Sequence, residues 1–160
     1  MEKPRSFLVF SEDSQRFGLN LDEVERIEKA VELETFARSP EFVKGVVNYH
    51  GELLPVINIR KIFQLPEREM ETSDLLIIAR TKKRALAIWA QKIEGVVDKS
   101  EAEVEDAQRL FLGLDYVKGI FKYADSTVLI NDLDKFLTDR ELKMLHKVIA
   151  EESEFAQADK

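Results

Sequence analysis

The sequence predicts an all-β protein that contains two similar small β-barrels and one C-terminal helix. Short apolar runs recur at near-regular spacing with few long helical patterns between them, which is typical of a β-sandwich or of small barrels. The segment Lys44–Phe63, KGVVNYHGELLPVINIRKIF, is also echoed by KGIFKYADSTVLINDLDKFL, which begins at Lys118. Because a unit of about 70 residues buries little core of its own, the two barrels should share strands and a common interface.

The first predicted element is a β-hairpin near the N-terminus. Phe7–Phe10 is an apolar run, and after the polar turn SEDSQ the residues FGLNL alternate between apolar and small or polar side chains. Alternation with a period of two is typical of a half-buried strand. The next segment, Asp22–Ala30, is consistent with a helical turn, since Val24 and Ile27 lie three residues apart, and equally with the start of another strand.

The first repeated segment is predicted to form a strand, a turn and a second strand. Ser39-Pro40 breaks the preceding chain, and Glu41–Lys44 is predicted as a single helical turn. The two strands that follow are Val46–Tyr49 and Leu53–Ile57. Pro55 cannot donate to a β-ladder, so the second of these strands should lie at a sheet edge or carry a bulge.

The second repeated segment is predicted to form the same unit from Val117 to Ile130. Its turn lies at Asp125-Ser126, a pair typical of turns. When Ile57-Asn58 is matched with Ile130-Asn131, the second turn is one residue shorter than the first.

A third hairpin is predicted between the two copies. Leu75–Ala79 and Ala85–Ala90 are apolar runs joined by the polar turn Thr81–Arg84. We expect Trp89, in the return strand, to be buried, and the equivalent Tyr49 and Tyr123 to pack in the core.

The C-terminus carries the clearest helix signal. Thr138 and Glu141 have the spacing of a capping box, with Leu137 and Leu142 placed for a hydrophobic staple. The apolar positions that recur on one face are Leu142, Leu145, Val148 and Ile149. From Glu151 the apolar pattern ends, so the helix should fray there. The expected organisation is one domain over residues 7–150, with flexible tails at 1–6 and 151–160.

Composition excludes several classes of function. The formal net charge of −7 argues against non-specific binding to nucleic acid or anionic membranes, which depends on a basic surface. The chain has no cysteine, so disulfides and thiolate chemistry are excluded. No apolar run approaches the roughly 18 residues of a membrane span, which predicts a soluble, cytoplasmic protein.

Nothing in the sequence indicates catalysis, a metal or a cofactor. No nucleophile elbow, phosphate-binding loop or zinc-protease motif is present, and Asp132 and Asp134 lack the rest of a calcium loop. A nucleic-acid-binding small barrel is the alternative from another class, but Lys82-Lys83-Arg84 is the only tight basic cluster and is expected to be a solvated turn. A protein-interaction module is favoured.

The segments FLVF, FGLNL, VERIE, SPEFVKGVVNYHGELLPVINIRKIF and KGIFKYADSTVLINDLDKFL resemble the CheW family, in order from Phe7 to Ala150. The resemblance implies two intertwined five-stranded barrels of SH3-like topology. It also implies a stand-alone, non-catalytic adaptor that couples chemoreceptors to a CheA-type histidine kinase, with a scaffold in a non-flagellar pathway as the alternative.

The resemblance further implies two partner surfaces. One barrel is expected to bind the regulatory domain of the kinase, and a groove between the barrels the cytoplasmic tip of a methyl-accepting chemoreceptor. The residues that match kinase-facing positions of the family are Val24, Arg26, Ile27, Lys44 and Gly45. Those that match receptor-facing positions are His50, Leu75, Leu76 and Ile88. No cofactor, metal, nucleic acid or membrane insertion is expected.

Four polar positions depart from the family pattern. His50 stands where arginine is usual, Arg26 where glutamate is frequent, and Asn58 and Gln91 where aspartate is common. Loss of an arginine removes a two-pronged hydrogen-bonding group, and Arg26 reverses a charge. The departures are explained either by partners that changed together with this chain or by drift at positions of little energetic weight.

Overall fold

A computed structural model describes residues 4–35, 40–106 and 115–158. The strands of this part of the chain are β1 (Arg5–Glu12), β2 (Gln15–Asn20), β3 (Val24–Lys29), β4 (Val43–Tyr49), β5 (Glu52–Ile57), β6 (Leu75–Arg80), β7 (Ala85–Ala90), β8 (Lys92–Lys99), β9 (Glu105–Asp106), β10 (Val117–Tyr123) and β11 (Ser126–Asn131). The helices are α1 (Ile59–Ile62) and α2 (Asp139–Ala158), and short 3-10 turns span Leu21–Glu23, Glu101–Glu103 and Leu133–Lys135.

The strands form two sheets that interrupt one another along the chain. The six-stranded sheet has the order β8-β1-β2-β11-β10-β9, and the five-stranded sheet has the order β3-β6-β7-β5-β4. Strands β3 to β7 therefore stand in sequence between β2 and β8 of the other sheet. The predicted all-β class with intertwined halves and a C-terminal helix is confirmed. The resemblance implied five strands in each half, and among the described residues the half that contains the unpredicted β8 and β9 has six.

The two repeated segments form the hairpins β4–β5 and β10–β11 with the same register. The first pairs are Val43–Ile57 and Val117–Asn131, and the last pairs are Tyr49–Glu52 and Tyr123–Ser126. Both turns therefore have equal length, and the expected shortening of the second turn is wrong. Ile57 corresponds to Asn131, and a register shift precedes the glycine of each copy, Gly45 or Gly119.

Three local predictions are corrected or settled in the five-stranded sheet. Glu41–Lys44 is not a helical turn, because the Val43 N–H donates to the Pro40 carbonyl and β4 begins at Val43. Strand β5 lies inside the sheet rather than at its edge, and its pairing with β7 starts at Val56, one residue past Pro55. The segment that was consistent with helix or strand forms a 3-10 turn followed by β3.

The predicted capping box starts α2. The Glu141 N–H donates to Thr138 Oγ1, and the Thr138 N–H donates to Glu141 Oε1, each at 3.0 Å. Leu145 is buried in the core, so this face docks on the sheets; the side chains of Val148 and Ile149 lie outside the described part. The helix continues to Ala158, past the predicted point of fraying, and β1 begins at Arg5, inside the predicted N-terminal tail.

The two sheets bury a common core. Its largest cluster joins Phe10 and Phe17 of the six-stranded sheet to Ile77 and Ile88 of the five-stranded sheet, and Leu145 of α2 packs there too. The opposite face of the five-stranded sheet carries a second cluster, which comprises Leu54, Val56, Leu76, Ile78, Ala87 and Trp89. This sheet is therefore covered on both faces, which explains the continuous apolar runs of β6 and β7.

Candidate partner-binding surfaces

Strand β3 forms an open edge of the five-stranded sheet. Within the described residues it pairs only with β6. Ile27 is 38% exposed there, while Val24 is half-buried. Arg26 pairs with Glu28 at 2.9 Å, but both side chains are exposed. Such an ion pair contributes little to stability, so both charges can re-pair with a partner.

The segment 30–35 crosses beside β4 and adds a second exposed apolar side chain, Val31, which is 50% exposed. Glu34 forms a β-bridge with Val46 through two backbone hydrogen bonds. A Cβ atom on Gly45 would lie 2.5 Å from the Glu34 carbonyl oxygen and 2.9 Å from Leu33 Cβ. Gly45 is itself buried, so it permits this close crossing rather than offering a side chain to a partner.

Lys44 stands on the outside of the same sheet, above the buried Trp89. Its Nζ lies 5.4 Å from the centre of the Trp89 ring, and the Arg68 guanidinium lies 5.5 Å from the same centre. The indole N–H donates to Asp74 at 2.8 Å. Burial alone would raise the pKa of Asp74, but hydrogen bonds from Arg68, the Glu71 N–H and Trp89 lower it below its ordinary value. The ionised Asp74 thus fixes the Trp89 ring, and Lys44 lies over that ring.

Two shallow grooves flank Val31. One, of roughly 300 Å³, is bordered by Lys44 and Met70, and the other, of roughly 220 Å³, is bordered by Tyr49 and His50. Val31 and Lys44 thus share one groove, and Arg26 and Ile27 lie on β3, which leads directly into the 30–35 segment. We call these four residues together the β3–β4 face. Val31 was not predicted, although the alternation of apolar and acidic residues in VELE was a signal for it.

The four residues expected to face a receptor do not form one surface. Leu76 and Ile88 are 1% and 0% exposed and belong to the two different core clusters, so they have no surface to offer. His50 is exposed in the β4–β5 turn with a φ of +52°, and its ring lies against Tyr49. Leu75 is half-buried at the start of β6.

His50 and Leu75 lie near opposite ends of the five-stranded sheet. Arg80, at the end of β6 away from Leu75, donates to Glu52 at 2.7 Å. Glu52 follows the His50-Gly51 turn directly, so His50 is near Arg80 rather than Leu75. Hydrogen bonds from Arg80 lower the pKa of Glu52, which keeps this link charged.

A larger groove of roughly 810 Å³ lies beside Arg80 where the two sheets meet. We call it the junction groove; its lining residues are Asp22, Glu23, Val24, Glu25, Arg80, Thr81, Lys82, Lys83 and Asp134. Lys82 and Lys83 are exposed on one side. Arg84 is buried and bonds Leu137 and Asp139, so the expectation of a fully solvated basic cluster is wrong for this residue.

The four departures from the family pattern separate into two kinds. Asn58 accepts from the Arg60 N–H at the start of α1 and so still caps that helix, and Gln91 accepts from Arg60 Nη2 at 2.7 Å. Arg26 and His50, by contrast, are exposed at the surface. Asn58 and Gln91 therefore act inside the fold, while Arg26 and His50 do not.

The described residues contain no cluster of three histidine or acidic side chains suited to a metal ion. No helix there is both long enough and apolar enough to cross a membrane.

The chain is similar to known proteins over most of its length. The family described as CheW-like domain matches residues 6–141. A chemotaxis protein CheW of Treponema pallidum is 24% identical over 144 residues, covering 86% of this chain and 85% of that protein. The Thermotoga maritima protein of the same name is 25% identical, covering 85% and 89%. The crystal structure of the scaffolding protein TtCheW from Thermoanaerobacter tengcongensis aligns with a TM-score of 0.73 and 25% identity, covering 83% and 90%.

Proposed function

The chain belongs to the family of CheW-like domains and is accordingly a non-catalytic chemotaxis adaptor that couples receptors to a CheA-type histidine kinase; we propose that it meets these two partners on separate faces. The observation that carries the proposal is that the exposed apolar side chains of Ile27 and Val31 lie outside the junction groove, whose lining is mainly charged. An adaptor needs two separate surfaces so that one partner does not displace the other.

For the kinase, we propose that its regulatory domain docks on the β3–β4 face. Ile27 and Val31 supply exposed apolar area beside an open strand edge, and Lys44 supplies a positive charge at the rim. Apolar anchors with a polar rim are the usual composition of a protein interface. Arg26 extends the surface along β3, Val24 lines the junction groove instead, and Gly45 acts indirectly by letting the 30–35 segment cross.

For the receptor, the junction groove is the proposed site of its helical cytoplasmic tip. The groove has room for side chains of one helix face, and its lining combines the apolar Val24 with charged residues of both signs. Complementary charges select and orient a partner. None of the four residues expected to face the receptor lines this groove, and His50 borders the smaller groove beside Val31.

Charge reversals at the two faces test the proposal. Calorimetry would measure binding of the purified chain to the kinase regulatory domain and to a receptor signalling fragment from the same genome. Lys44→Glu should weaken kinase binding at least tenfold and leave receptor binding unchanged, and Lys82→Glu with Lys83→Glu should do the reverse. Lys92→Glu, on the exposed side of β8, is the matched control. If each charge reversal weakened binding of the two partners equally, or if neither weakened any binding, the two-face arrangement would be refuted.

The nucleic-acid alternative has little support. Arg84, one of the three residues in its basic cluster, is buried against Asp134 and Asp139 and so cannot contact phosphate.

A further inference from the structure

Strand β3 has a free backbone edge. Within the described residues it pairs only with β6. The Ala30 N–H, just past the end of β3, donates to the Asp74 carbonyl at 3.0 Å, and the pairing keeps one register from there back to Arg26. Because backbone bonds alternate along an antiparallel ladder, Arg26 and Glu28 bond toward β6, while the N–H and C=O of Ile27 point away from it. A strand of another chain can therefore pair at this edge.

The side chains along this edge are complementary in charge to their own reversed order. From Glu25 to Lys29 the sequence is ERIEK, which reads acidic, basic, neutral, acidic, basic. When a second copy runs antiparallel with Ile27 opposite Ile27, each Arg26 lies opposite a Glu28. Each Glu25 then lies opposite a Lys29. Opposite charges that face each other across two strands stabilise a sheet, and like charges destabilise it, so this edge fits a second copy of itself.

Backbone geometry and charge select the same register. Free N–H and C=O groups meet only when outward-pointing residues of the two copies face one another, so in a symmetric pair one residue lies opposite itself. A shift of two residues in either direction from the register centred on Ile27 places Arg26 opposite Arg26 or Glu28 opposite Glu28, which is repulsive. Ile27 is the only uncharged residue between Glu25 and Lys29, and its side chain is 38% exposed. At the centre, the two Ile27 residues exchange both backbone hydrogen bonds.

We propose that the protein self-associates through β3, in a two-fold symmetric dimer that joins the five-stranded sheets of two copies edge to edge. Arg26 and Glu28 already lie 2.9 Å apart on one strand, with exposed side chains. In the dimer these two residues and their counterparts occupy the corners of a square with unlike charges at neighbouring corners. A single strand pair is a small contact, so the dimer is weak and reversible. It covers Ile27, and with it part of the β3–β4 face.

Sedimentation equilibrium of the intact chain measures this association. In low salt we expect the wild type to dimerise with a dissociation constant of roughly 0.1–1 mM, as befits a small interface. Arg26→Glu brings four carboxylates together and Glu28→Arg brings four guanidinium groups together, so each variant alone should associate at least tenfold more weakly. An equimolar mixture of these two variants should form a mixed dimer, because every facing pair is then of opposite sign. The double variant should dimerise as the wild type does.

Lys92→Glu is the matched control, because it changes the net charge as Arg26→Glu does but lies on β8 of the other sheet. It should associate like the wild type. A wild type that stays monomeric at about 1 mM in low salt would overturn the proposal. So would a dimer that the single variants leave intact, or a mixture of the two variants that associates no better than either alone. No kinase or receptor is used, so the outcome is independent of the proposed function.

Discussion

The two repeated hairpins end in the same way but carry opposite charges. After β5, the Asn58 side chain caps the next turn, and Arg60 reaches the β1–β2 hairpin of the other sheet. After β11, Asp132 caps the next turn, and Asp134 reaches the β6–β7 hairpin, where it accepts from Thr81 and lies 3.5 Å from Arg84. The backbone thus sets where each cross-link forms, and the side chain at the equivalent position, Arg60 or Asp134, sets whether the repeat contributes the positive or the negative charge.

The two cross-links also differ in their contact with water. Arg60 and Glu12 are both 2% exposed, whereas Asp134 is 35% exposed beside a buried Arg84. Removing Arg60 leaves a buried carboxylate without its cation, which is costly, whereas Arg84 keeps Asp139 and the Leu137 carbonyl when Asp134 is removed. The two copies therefore share one geometry, but their cross-links should differ in how much they contribute to stability.

The largest expected effect comes from breaking the buried cross-link. Arg60→Met leaves the buried Glu12 without its cation and should lower the free energy of unfolding by about 3–5 kcal/mol at pH 8. Asp134→Asn, at the equivalent position of the other copy, should lower it by only about 1 kcal/mol. Urea unfolding followed by circular dichroism measures both. Equal losses would mean that exposure of one partner does not decide the strength of a cross-link here.

The second-largest expected effect is a difference in stability between alanine substitutions at the glycines of the two copies. Gly45→Ala forces the 30–35 segment away from β4 and should cost about 1–3 kcal/mol of stability. The nearest atom to a Cβ on Gly119 is Val104 Cγ1 at 3.2 Å, which a small shift relieves, so Gly119→Ala should cost under about 1 kcal/mol. Gly45→Ala should also weaken kinase binding, and Gly119→Ala should not. The reverse order of stabilities would show that the crossing segment is easily displaced.

The smallest expected effect concerns the turns. His50 and Ala124 occupy equivalent places with φ of +52° and +54°, a region that strains residues other than glycine. His50→Gly and Ala124→Gly should each stabilise the chain by roughly 0.5–1 kcal/mol, which thermal unfolding can resolve. Because His50 borders the groove beside Val31, kinase binding should fall only for His50→Gly. A loss of kinase affinity with Ala124→Gly as well would place the kinase contact elsewhere.

The sequence predicted the hairpins where apolar periodicity was strong and failed where other forces decide. Matching apolar letters aligned Ile57 with Ile130, but the bulge before each glycine and the turn fix the register instead. Strand β8 was missed because half-buried edge strands have a weak pattern, and α1 because it has only four residues.

The partner surfaces were predicted only in part. Leu76 and Ile88 matched family positions, yet coverage of both sheet faces removes them from contact with solvent. The sequence placed Glu12 only in a polar turn, because a local pattern cannot reveal its partner Arg60, which is 48 residues away. Ile27 and Lys44, which the resemblance predicts to face the kinase, are exposed on β3 and β4, the two edge strands of their sheet.

The position of the only tryptophan has a practical consequence. Trp89 is held between Lys44 and Arg68 with its N–H on Asp74. Indole fluorescence shifts when nearby charges move, because its excited state has a larger dipole than its ground state. A protein that displaces Lys44 while docking on the β3–β4 face would shift the emission wavelength of Trp89. A protein that fills the junction groove would leave it unchanged. The chain thus carries its own optical reporter for one of its two faces, without any added label.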